Sequence, residues 1–332
     1  MVHQSPPRPF YGVLLVNVGT PNQLSQEAVK KYLKNFLSDR RIVEWPPLIW
    51  QPILRLWILK FRTKRSLAKY QSIWHRKNLS PLLLEARQLK SALQKKLSQS
   101  SPSVVVELAM SYSEPHIPEV LASLQQKGIQ RVIILPLFPQ YSATTVGACL
   151  DQVWKSLLQK RFYPQISTIH SFYNQKEYLK VLVEHIKNHW SKQGQAQLLL
   201  VSFHGIPLKY AKKGDPYLQQ CYDLTKLLQQ ELNLSHAKIK ISFQSLFGPF
   251  AWPQPSTDSL LKLLPEQGIN SVDVISPGFM LDCLETLEEL DIRARKIFLK
   301  AGGKVFHYIP CLNHSPALVA AISKMLLSHI SA

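Results

Sequence analysis

Cysteine is scarce in this sequence of 332 residues, which contains only 4. Cys149, Cys221, Cys283 and Cys311 lie far apart and form no Cys-x-x-Cys pair. A disulfide framework and a zinc ribbon both need sets of closely spaced cysteines, so the sequence favours neither. Free thiols at this density are typical of a protein that works in a reducing compartment.

Long apolar runs are missing as well. No stretch of about 18 apolar residues without a charge occurs, and the first ten residues, MVHQSPPRPF, lack the apolar stretch of a signal peptide. The sequence therefore predicts a cytoplasmic protein that does not span a membrane.

Acidic residues are few, at 21 against 40 lysines and arginines, which gives a net charge of +19. This surplus predicts a partner with negative charge, such as nucleic acid, an anionic membrane or a ligand with several carboxylates. Nucleic acid is the least favoured of the three, because no helix-turn-helix, zinc-finger or RNA-binding signature occurs. We therefore expect no nucleic-acid partner.

Five of the acidic residues nevertheless stand within ten positions, between Asp282 and Asp291. The sequence from Asp282 onward predicts a helix that follows a short buried strand. On such a helix Asp282, Glu285 and Glu289 would form one stripe, at spacings i, i+3 and i+7. Two interpretations fit the stripe: a solvated face near the positive end of the helix dipole, or a row of carboxylates along which a cation passes.

An internal repeat indicates the fold. Residues 116–138 predict a helix, a glycine that ends it and a strand, and the same series returns 140 positions later, at 256–279. The opening strand also recurs, since LLVNVGTP at 14–21 resembles LLLVSFHGIP at 198–207. The sequence therefore predicts an α/β protein built from two doubly wound units in tandem.

The length also predicts about two domains. We place the first at residues 1–165 and the second at 166–332, with a closing helix over 317–330. No phosphate-binding motif follows the first strand, so a nucleotide ligand is not indicated.

His204 stands where the first strand of the second unit ends and the chain turns through Gly205. Ligands of α/β sheets bind at the carboxyl edge of the strands, and the acidic segment follows another strand of the same unit. A lone histidine at such a position is more often structural. Opposite Glu285, however, it would form a pair that suits either one divalent metal ion or proton transfer.

The segment WPPLIWQPILRLWILKF, at 45–61, combines three tryptophans with many aliphatic residues and is followed by a basic cluster. It fits a segment that lies in a membrane interface, and it also fits an ordinary core helix with a basic outer face. The candidates for membrane contact are Trp45, Leu48, Ile49, Trp50, Leu54 and Trp57, with Arg55, Lys60, Arg62, Lys64 and Arg65 beside them.

Seven motifs, in order and over nearly the whole chain, resemble those of the ferrochelatase family: LLVNVGTP, FLSDRRIVE, SIWHRKNLSPLL, LPLFPQYSATTVG, LLVSFHGIPLKYAKKGDPY, FQSLFGPFAWPQPSTDSLL and SPGFMLDCLETLEELD. The resemblance implies two Rossmann-like domains with porphyrin in the cleft between them. It also implies the insertion of ferrous iron into protoporphyrin IX, the last step of haem synthesis, with Fe²⁺ as a substrate and no tightly bound cofactor.

The resemblance also assigns site residues. His204 matches the active-site histidine of the family and Glu285 its active-site glutamate, both associated with the metal and with pyrrole protons. Asp282 and Glu289 match further acids that would lead ions or protons to or from the centre. The positions that match the porphyrin side are Val18, Tyr70, Ser80, Tyr112, Tyr141 and Trp252.

The sequence departs from the family at several positions. Ser111 stands where many relatives have an arginine, Leu246 where many have a basic residue, and Leu79 where a glycine is usual. These differences concern the groups that meet the porphyrin carboxylates. Some members hold an iron-sulfur cluster, but Cys311 has no companion cysteines in the tail, so we expect none here.

Two other functions fit the same cleft: a carrier of tetrapyrrole or metal that does not turn over, and a chelatase that inserts cobalt or nickel into another tetrapyrrole. Chelatases of the second kind tend to present more histidines at the metal, whereas only His204 stands in a motif here. We expect a monomer that makes peripheral contact with the inner face of an anionic membrane.

Overall fold

The computed structural model describes residues 10–74, 79–100, 103–158, 160–246, 248 and 250–330. The amino-terminal residues 1–9, and parts of two family motifs at 75–78 and at Phe247 and Pro249, lie outside the described residues.

The described chain contains two sheets of four strands each. The strands are β1 (Tyr11–Asn17), β2 (Val104–Met110), β3 (Arg131–Pro136), β4 (Gln165–Thr168), β5 (Leu198–His204), β6 (Ile239–Gln244), β7 (Ser271–Ile275) and β8 (Val305–Ile309).

The helices that flank the sheets are α1 (Gln26–Leu37), α2 (Pro47–Ile53), α3 (Leu59–Ile73), α4 (Pro81–Ser100), α5 (Ile117–Gln126), α6 (Ala148–Leu157), α7 (Lys176–Gln193), α8 (Leu208–Lys212), α9 (Tyr217–Glu231), α10 (Thr257–Leu263), α11 (Leu284–Thr286), α12 (Arg295–Lys300) and α13 (Pro316–Ile330). Three π-helical segments, Leu54–Ile58, Ala143–Gly147 and Leu287–Ala294, and two short 3₁₀ turns, His236–Lys238 and Pro265–Gln267, complete the set.

Both sheets are parallel and have the same topology. Their strand orders are β2-β1-β3-β4 and β6-β5-β7-β8, so the first strand of each half lies second in its sheet. The helix–glycine–strand repeat is confirmed, with Gly128 at φ 79° and Gly268 at φ 81°. Each glycine adopts the left-handed conformation that ends a helix and is costly for other residues. The predicted α/β architecture of two doubly wound units is therefore confirmed.

Each sheet is buried on both faces, as parallel sheets are. In β1, Val13 and Leu15 face one core and Leu14 and Val16 face another. The first of these cores is shared, because the same cluster contains Val201 and other residues of β5. The two halves therefore have one continuous apolar core between them.

The closing helix is confirmed as α13, and it joins the two halves. It packs against α4 of the first half and α7 of the second. The hydroxyl of Tyr11 on β1 donates to the carbonyl of Ile330 at 3.1 Å. The last helix thus completes the packing of the first strand.

The predicted boundary between residues 165 and 166 crosses a strand. Gln165 begins β4, and that strand pairs with β3 in the first sheet, with Gln165 opposite Arg131. The first sheet therefore extends to Thr168, although the division into two domains stays a prediction.

The prediction of a helix from Asp282 onward is wrong in detail. The helix begins at Leu284, and only three residues later it widens into the π-helical segment Leu287–Ala294. Cys283 is extended, at φ −145°, so Asp282 lies before the helix. The expected single stripe of α-helical spacing does not form, because the π-helical segment has more residues per turn.

The segment 45–61 forms α2, a π-helical turn and the start of α3. Leu54 is fully buried, and Trp50 is half-buried with its Nε1 donating to the Leu37 carbonyl at 2.6 Å. Arg62 is half-buried too. Among the candidates for membrane contact, Leu54 is therefore a core residue, as the alternative interpretation of the segment has it, and Trp50 and Arg62 are only partly exposed. No helix among the described residues is long and apolar enough to cross a membrane.

Candidate active site

The turn after β1 forms one side of the site. Gly19 has φ 109°, and a Cβ there would lie 2.5 Å from the Oγ of Ser113. That Oγ accepts from the amide of Thr20 at 3.1 Å. Only glycine fits this approach, which fixes the half-buried Val18 just beyond the strand.

The turn after β5 forms the opposite side. Gly205 donates its amide to the Gln244 carbonyl at 2.9 Å. A Cβ on Gly205 would collide with Cδ2 of Leu246 and would touch the ring of Trp252. Leu246 and Trp252 therefore pack directly on the backbone that follows His204.

His204 is half-buried at the carboxyl edge of β5. Its ring lies edge-on to Phe279, with centroids 6.4 Å apart. Its Nδ1 is buried and has no hydrogen-bond partner within the part of the chain that the structure describes. A buried polar atom without a partner costs about 1–3 kcal/mol, so its retention indicates a role with a ligand.

Gln244 links His204 to the acidic segment. It lies opposite His204 in the β5–β6 register and is buried. Its Nε2 donates to the backbone carbonyl of Glu285 at 2.8 Å, and its Oε1 accepts from Ser202 at 2.9 Å. One side chain thus holds the strand edge and the start of α11 at a fixed distance.

Glu285 is half-buried, and α11, which carries it, contacts α3 of the first half. Burial, and then the charge of Glu285, raise the pKa of Tyr32 well above its ordinary value. Burial, then Tyr32 and Glu285, do the same to the pKa of Tyr70. Burial lowers the pKa of Arg62, and the negative charges of Glu289 and Glu285 partly offset this by raising it. Tyr32, Tyr70 and Arg62 are therefore close enough to the Glu285 carboxylate to interact with its charge, and burial favours the neutral form of both phenols.

Glu288 and Glu289 have cationic partners. Lys69 of α3 lies 2.9 Å from an oxygen of Glu288 and 3.5 Å from one of Glu289. Arg293 approaches Glu289 at 3.6 Å, and the Ser245 hydroxyl donates to the same carboxylate. Glu288 and Glu289 therefore form ion pairs with Lys69 of the first half, and Glu289 also pairs with Arg293 of the second half.

Asp282 is enclosed by hydrogen-bond donors. Its Oδ1 accepts from Tyr308 at 2.6 Å and from Thr286 at 3.1 Å, and its Oδ2 accepts from Asn313 at 2.7 Å. The amide of Cys311 lies 3.3 Å from the same Oδ1. A carboxylate with this many donors holds the turn before α11 in place.

Three hydroxyls among the residues assigned to the porphyrin side already have partners. Tyr112 donates to Asp39 at 2.8 Å, and Tyr70 bonds to Thr20. The Ser80 hydroxyl accepts from the Leu83 amide at 3.2 Å and so caps α4. All three residues are buried.

Tyr141 lies on another part of the first half. Its amide donates to Gln220 of α9 at 2.7 Å, and its half-buried ring lies 5.9 Å from that of His170. The hydroxyl lies near Gly147, where a Cβ would approach it to 3.2 Å. Among the departures from the family, Ser111 is buried, with its Oγ 3.0 Å from Sγ of Cys149.

The structure thus places His204, the Glu285 backbone and Trp252 around the Gly205 turn, and Val18, Tyr70 and Tyr112 around the Gly19 turn. Sequence reasoning did not assign a role to Gln244, Tyr32 or Lys69. Gln244 stands at the end of a strand, beside the glycine turn in space, which is a signal that only the pairing of β5 with β6 reveals.

Chemically, the second half offers the imidazole of His204, whose Nδ1 has no hydrogen-bond partner among the described residues, and the carboxylate of Glu285, whose backbone is tied to the neighbouring strand end by Gln244. Such a pair holds a divalent ion weakly or accepts protons. The first half offers buried aromatic rings instead, which suit a flat apolar ligand.

The family model named Ferrochelatase matches residues 11–330. Ferrochelatase 1 of Shewanella oneidensis is 44% identical over 98% of this chain and 99% of its own. A ferrochelatase of Neisseria gonorrhoeae is 43% identical over 93% of this chain and 91% of its own.

Two solved structures share the fold. SirB from Bacillus subtilis, solved with Fe³⁺, has a TM-score of 0.57 at 11% identity, over 96% of this chain and 95% of its own. CbiX, described as the terminal enzyme of sirohaem biosynthesis in denitrifying bacteria, has a TM-score of 0.52 at 13% identity, over 96% and 98%. The match to the family model over nearly all of the sequence, together with these full-length relatives, shows that the chain belongs to the ferrochelatase family.

Proposed function

We propose that the protein is a protoporphyrin ferrochelatase, a lyase that inserts Fe²⁺ into protoporphyrin IX and releases two protons, in the last step of haem biosynthesis. The observation that most supports this is the buried Nδ1 of His204, which has no partner among the described residues and lies at the strand edge that Gln244 ties to Glu285. Insertion of iron into porphyrin is the activity of the ferrochelatase family, so membership of that family supports this reaction.

Each Fe²⁺ that enters the ring replaces two N–H protons, so charge balances, and a base must receive the two protons that leave. In this proposal the imidazole of His204 accepts a pyrrole proton or holds the ion briefly. The carboxylate of Glu285 then receives the proton or helps to hold the ion. Since one histidine and carboxylates bind more weakly than a closed set of four ligands, the site releases the ion to the ring.

Porphyrin lies, in this proposal, between the Gly19 turn and the Gly205 turn, against Val18, Tyr70, Ser80, Tyr112, Tyr141 and Trp252. Because the hydroxyls of Tyr70, Tyr112 and Ser80 already have partners, we propose that these residues meet the ring through carbon atoms. The acids Asp282 and Glu289 differ in role: Glu289 stands on the path of ions or protons, and Asp282 positions α11.

The test is an anaerobic mixture of the purified protein, ferrous iron and protoporphyrin, followed by the loss of the free porphyrin spectrum. We expect many equivalents of product per chain, and Zn²⁺ to replace Fe²⁺ because N and O ligands separate such ions poorly. One equivalent or less would favour a carrier. A parallel assay with coproporphyrin determines which ring the cleft prefers.

We also propose that the outer surface of α2 and α3 docks on an anionic membrane. The exposed fractions of Leu48, Trp57 and Phe61 are 92%, 65% and 57%. Trp45, Ile49 and Leu56 are exposed beside them, as are the basic residues Arg55, Lys60, Lys64 and Arg65. The inner surface of these helices belongs to an apolar cluster that contains Tyr70 of α3 and contacts Leu284 of α11. The same helices therefore connect the proposed docking surface to the proposed site.

Each exposed basic residue near an anionic surface contributes about 1 kcal/mol before salt screening, so four support reversible docking. Co-sedimentation with anionic vesicles should be clear at low salt and weak at high salt. The double variant Leu48→Ser/Trp57→Ser should lose it. Phe162→Ser, which removes an apolar side chain 69% exposed elsewhere, is the matched control. A folded double variant that binds vesicles like the parent contradicts the docking surface.

Three further expectations belong to the proposal. The protein works in the cytoplasm at the inner face of the membrane, as a monomer, and holds no tightly bound cofactor or iron-sulfur cluster. All four cysteines are buried, with Cys149 in a different core from Cys221 and Cys283. Light scattering and analysis of iron and sulfide in the purified protein test the last two points.

A further inference from the structure

A second group of metal-ligating side chains lies outside the cleft. His189 of α7, Asp273 of β7 and His307 of β8 each offer one ligand atom, and these atoms lie within 4.8 Å of one another. The rings of His189 and His307 are 5.7 Å apart. We infer that these three residues form a second binding site for a divalent first-row transition metal ion.

Asp273 is the fixed member of the group. It is fully buried at the middle of β7, and its Oδ2 accepts from Trp190 Nε1 at 2.7 Å and from the Ala196 amide at 3.0 Å. Its Oδ1 lies 2.9 Å from Nδ1 of His307, its neighbour in the strand register. Two donors therefore orient the carboxylate from behind, as outer partners of metal ligands do.

His189 is the member whose partner is unaccounted for. Its Nε2 is buried and has no hydrogen-bond partner in the described chain. A buried nitrogen that bonds to nothing is costly, whereas a metal ion would satisfy it.

To hold a tetrahedral ion, the ligand atoms would have to move closer together by at most about 1.5 Å. Ligand atoms around a tetrahedral ion at 2.0–2.1 Å are about 3.3 Å apart, against the limit of 4.8 Å here. The side chain of His307 is 24% exposed, on the edge strand of its sheet, so an ion and one water can enter from that side. Two imidazoles and one carboxylate suit Zn²⁺, Co²⁺ or Ni²⁺ rather than Mg²⁺ or Ca²⁺.

The group is distinct from the cleft. Asp273 pairs with Leu199, which stands five residues before His204 on β5, and this corresponds to roughly 17 Å along a strand. An ion at this position would join α7, β7 and the edge strand β8 at the end of the second sheet opposite to the site.

The experiment measures Zn²⁺ binding by competition with a chromophoric chelator, in the His204→Ala background, so that the cleft contributes little. We expect one Zn²⁺ per chain, and at least about tenfold weaker binding after His189→Phe, which keeps a ring of similar shape. His307→Gln, at a partly exposed position, should weaken binding likewise. Bound Co²⁺ should give the intense visible absorption of a tetrahedral site, and both variants should lose it.

His185→Phe is the matched control, because His185 is one helical turn from His189 and bonds instead to the Pro310 carbonyl at 2.8 Å. It should bind Zn²⁺ as the background protein does. Three outcomes would overturn the inference: no Zn²⁺ bound in the background protein, unchanged binding in both folded variants, or an equal loss in the control.

Discussion

The turns after β1 and β5 occupy the same place in the two halves and differ in what they present. Val18 and Gly19 follow β1, whereas His204 is the last residue of β5 and Gly205 follows it. In each case a side chain on the glycine would collide with a residue from the neighbouring strand's turn, Ser113 in one half and Leu246 in the other.

The two turns differ in the side chain before the glycine. The glycine lets a neighbouring loop close over the strand end. In the proposed function, valine before the glycine gives an apolar contact for the ring, whereas histidine gives a base. Under that proposal, side chains that the topology does not constrain decide which half carries out the chemistry.

The largest expected effect comes from removing the base. His204→Ala should lower turnover by at least about 100-fold, the usual minimum contribution of a positioned acid or base, while porphyrin still binds. Val18→Ala, at the equivalent position, should weaken porphyrin binding and leave turnover at saturation nearly unchanged. Steady-state kinetics with fluorescence titration of porphyrin separate the two, and near-normal turnover in His204→Ala would show that the centre is misplaced.

Glu285→Gln should lower turnover by about 100-fold as well, because the amide keeps the shape of the side chain and loses its charge. Gln244→Leu should act less, and by displacement, since it removes the bond to the Glu285 carbonyl without touching a reacting atom. A thermal melt beside the kinetics distinguishes them: only Gln244→Leu should lose stability, by about 1–3 kcal/mol for the buried partners it abandons.

Alanine at the two glycines tests the comparison directly. Gly19→Ala should cost about 1–3 kcal/mol of unfolding free energy, because φ 109° is strained for any side chain, and trimming Ser113 should not restore it. Gly205→Ala collides with the flexible end of Leu246, so Gly205→Ala/Leu246→Ala should recover much of the loss. If trimming Ser113 restored the stability of Gly19→Ala as well as trimming Leu246 restores that of Gly205→Ala, steric collision rather than backbone strain would explain both losses.

The smallest effect concerns the acids beyond the centre. Glu289→Gln should change turnover by less than about tenfold and shift its dependence on metal concentration, because it loosens the pairs with Lys69 and Arg293. Asp282→Asn should instead lower the melting temperature, since it disturbs the bonds from Tyr308 and Asn313. If Asp282→Asn changed the dependence on metal concentration and Glu289→Gln lowered the melting temperature, the roles proposed for the two acids would have to be exchanged.

The repeat, the parallel strands and the strand-end position of His204 could all be predicted from the sequence, because they depend on local spacing and on glycine. The position of Asp282 could not, since Tyr308 and Asn313, which hold it before α11, come from a distant strand and loop. Burial of Trp50 and Leu54 was likewise hidden, because aromatic and aliphatic residues suit a core and a membrane equally well.

The contact between Tyr11 and Ile330 has a consequence for how the chain is made. The first half leaves the ribosome while α13, which packs on α4 and completes that side of its core, is still unmade. At 5–20 residues per second, the rest of the chain takes on the order of 10 s to follow. During that interval the apolar side of α4 that α13 later covers is open to other chains, so we expect a newly made molecule to be prone to aggregation until α13 has been synthesised.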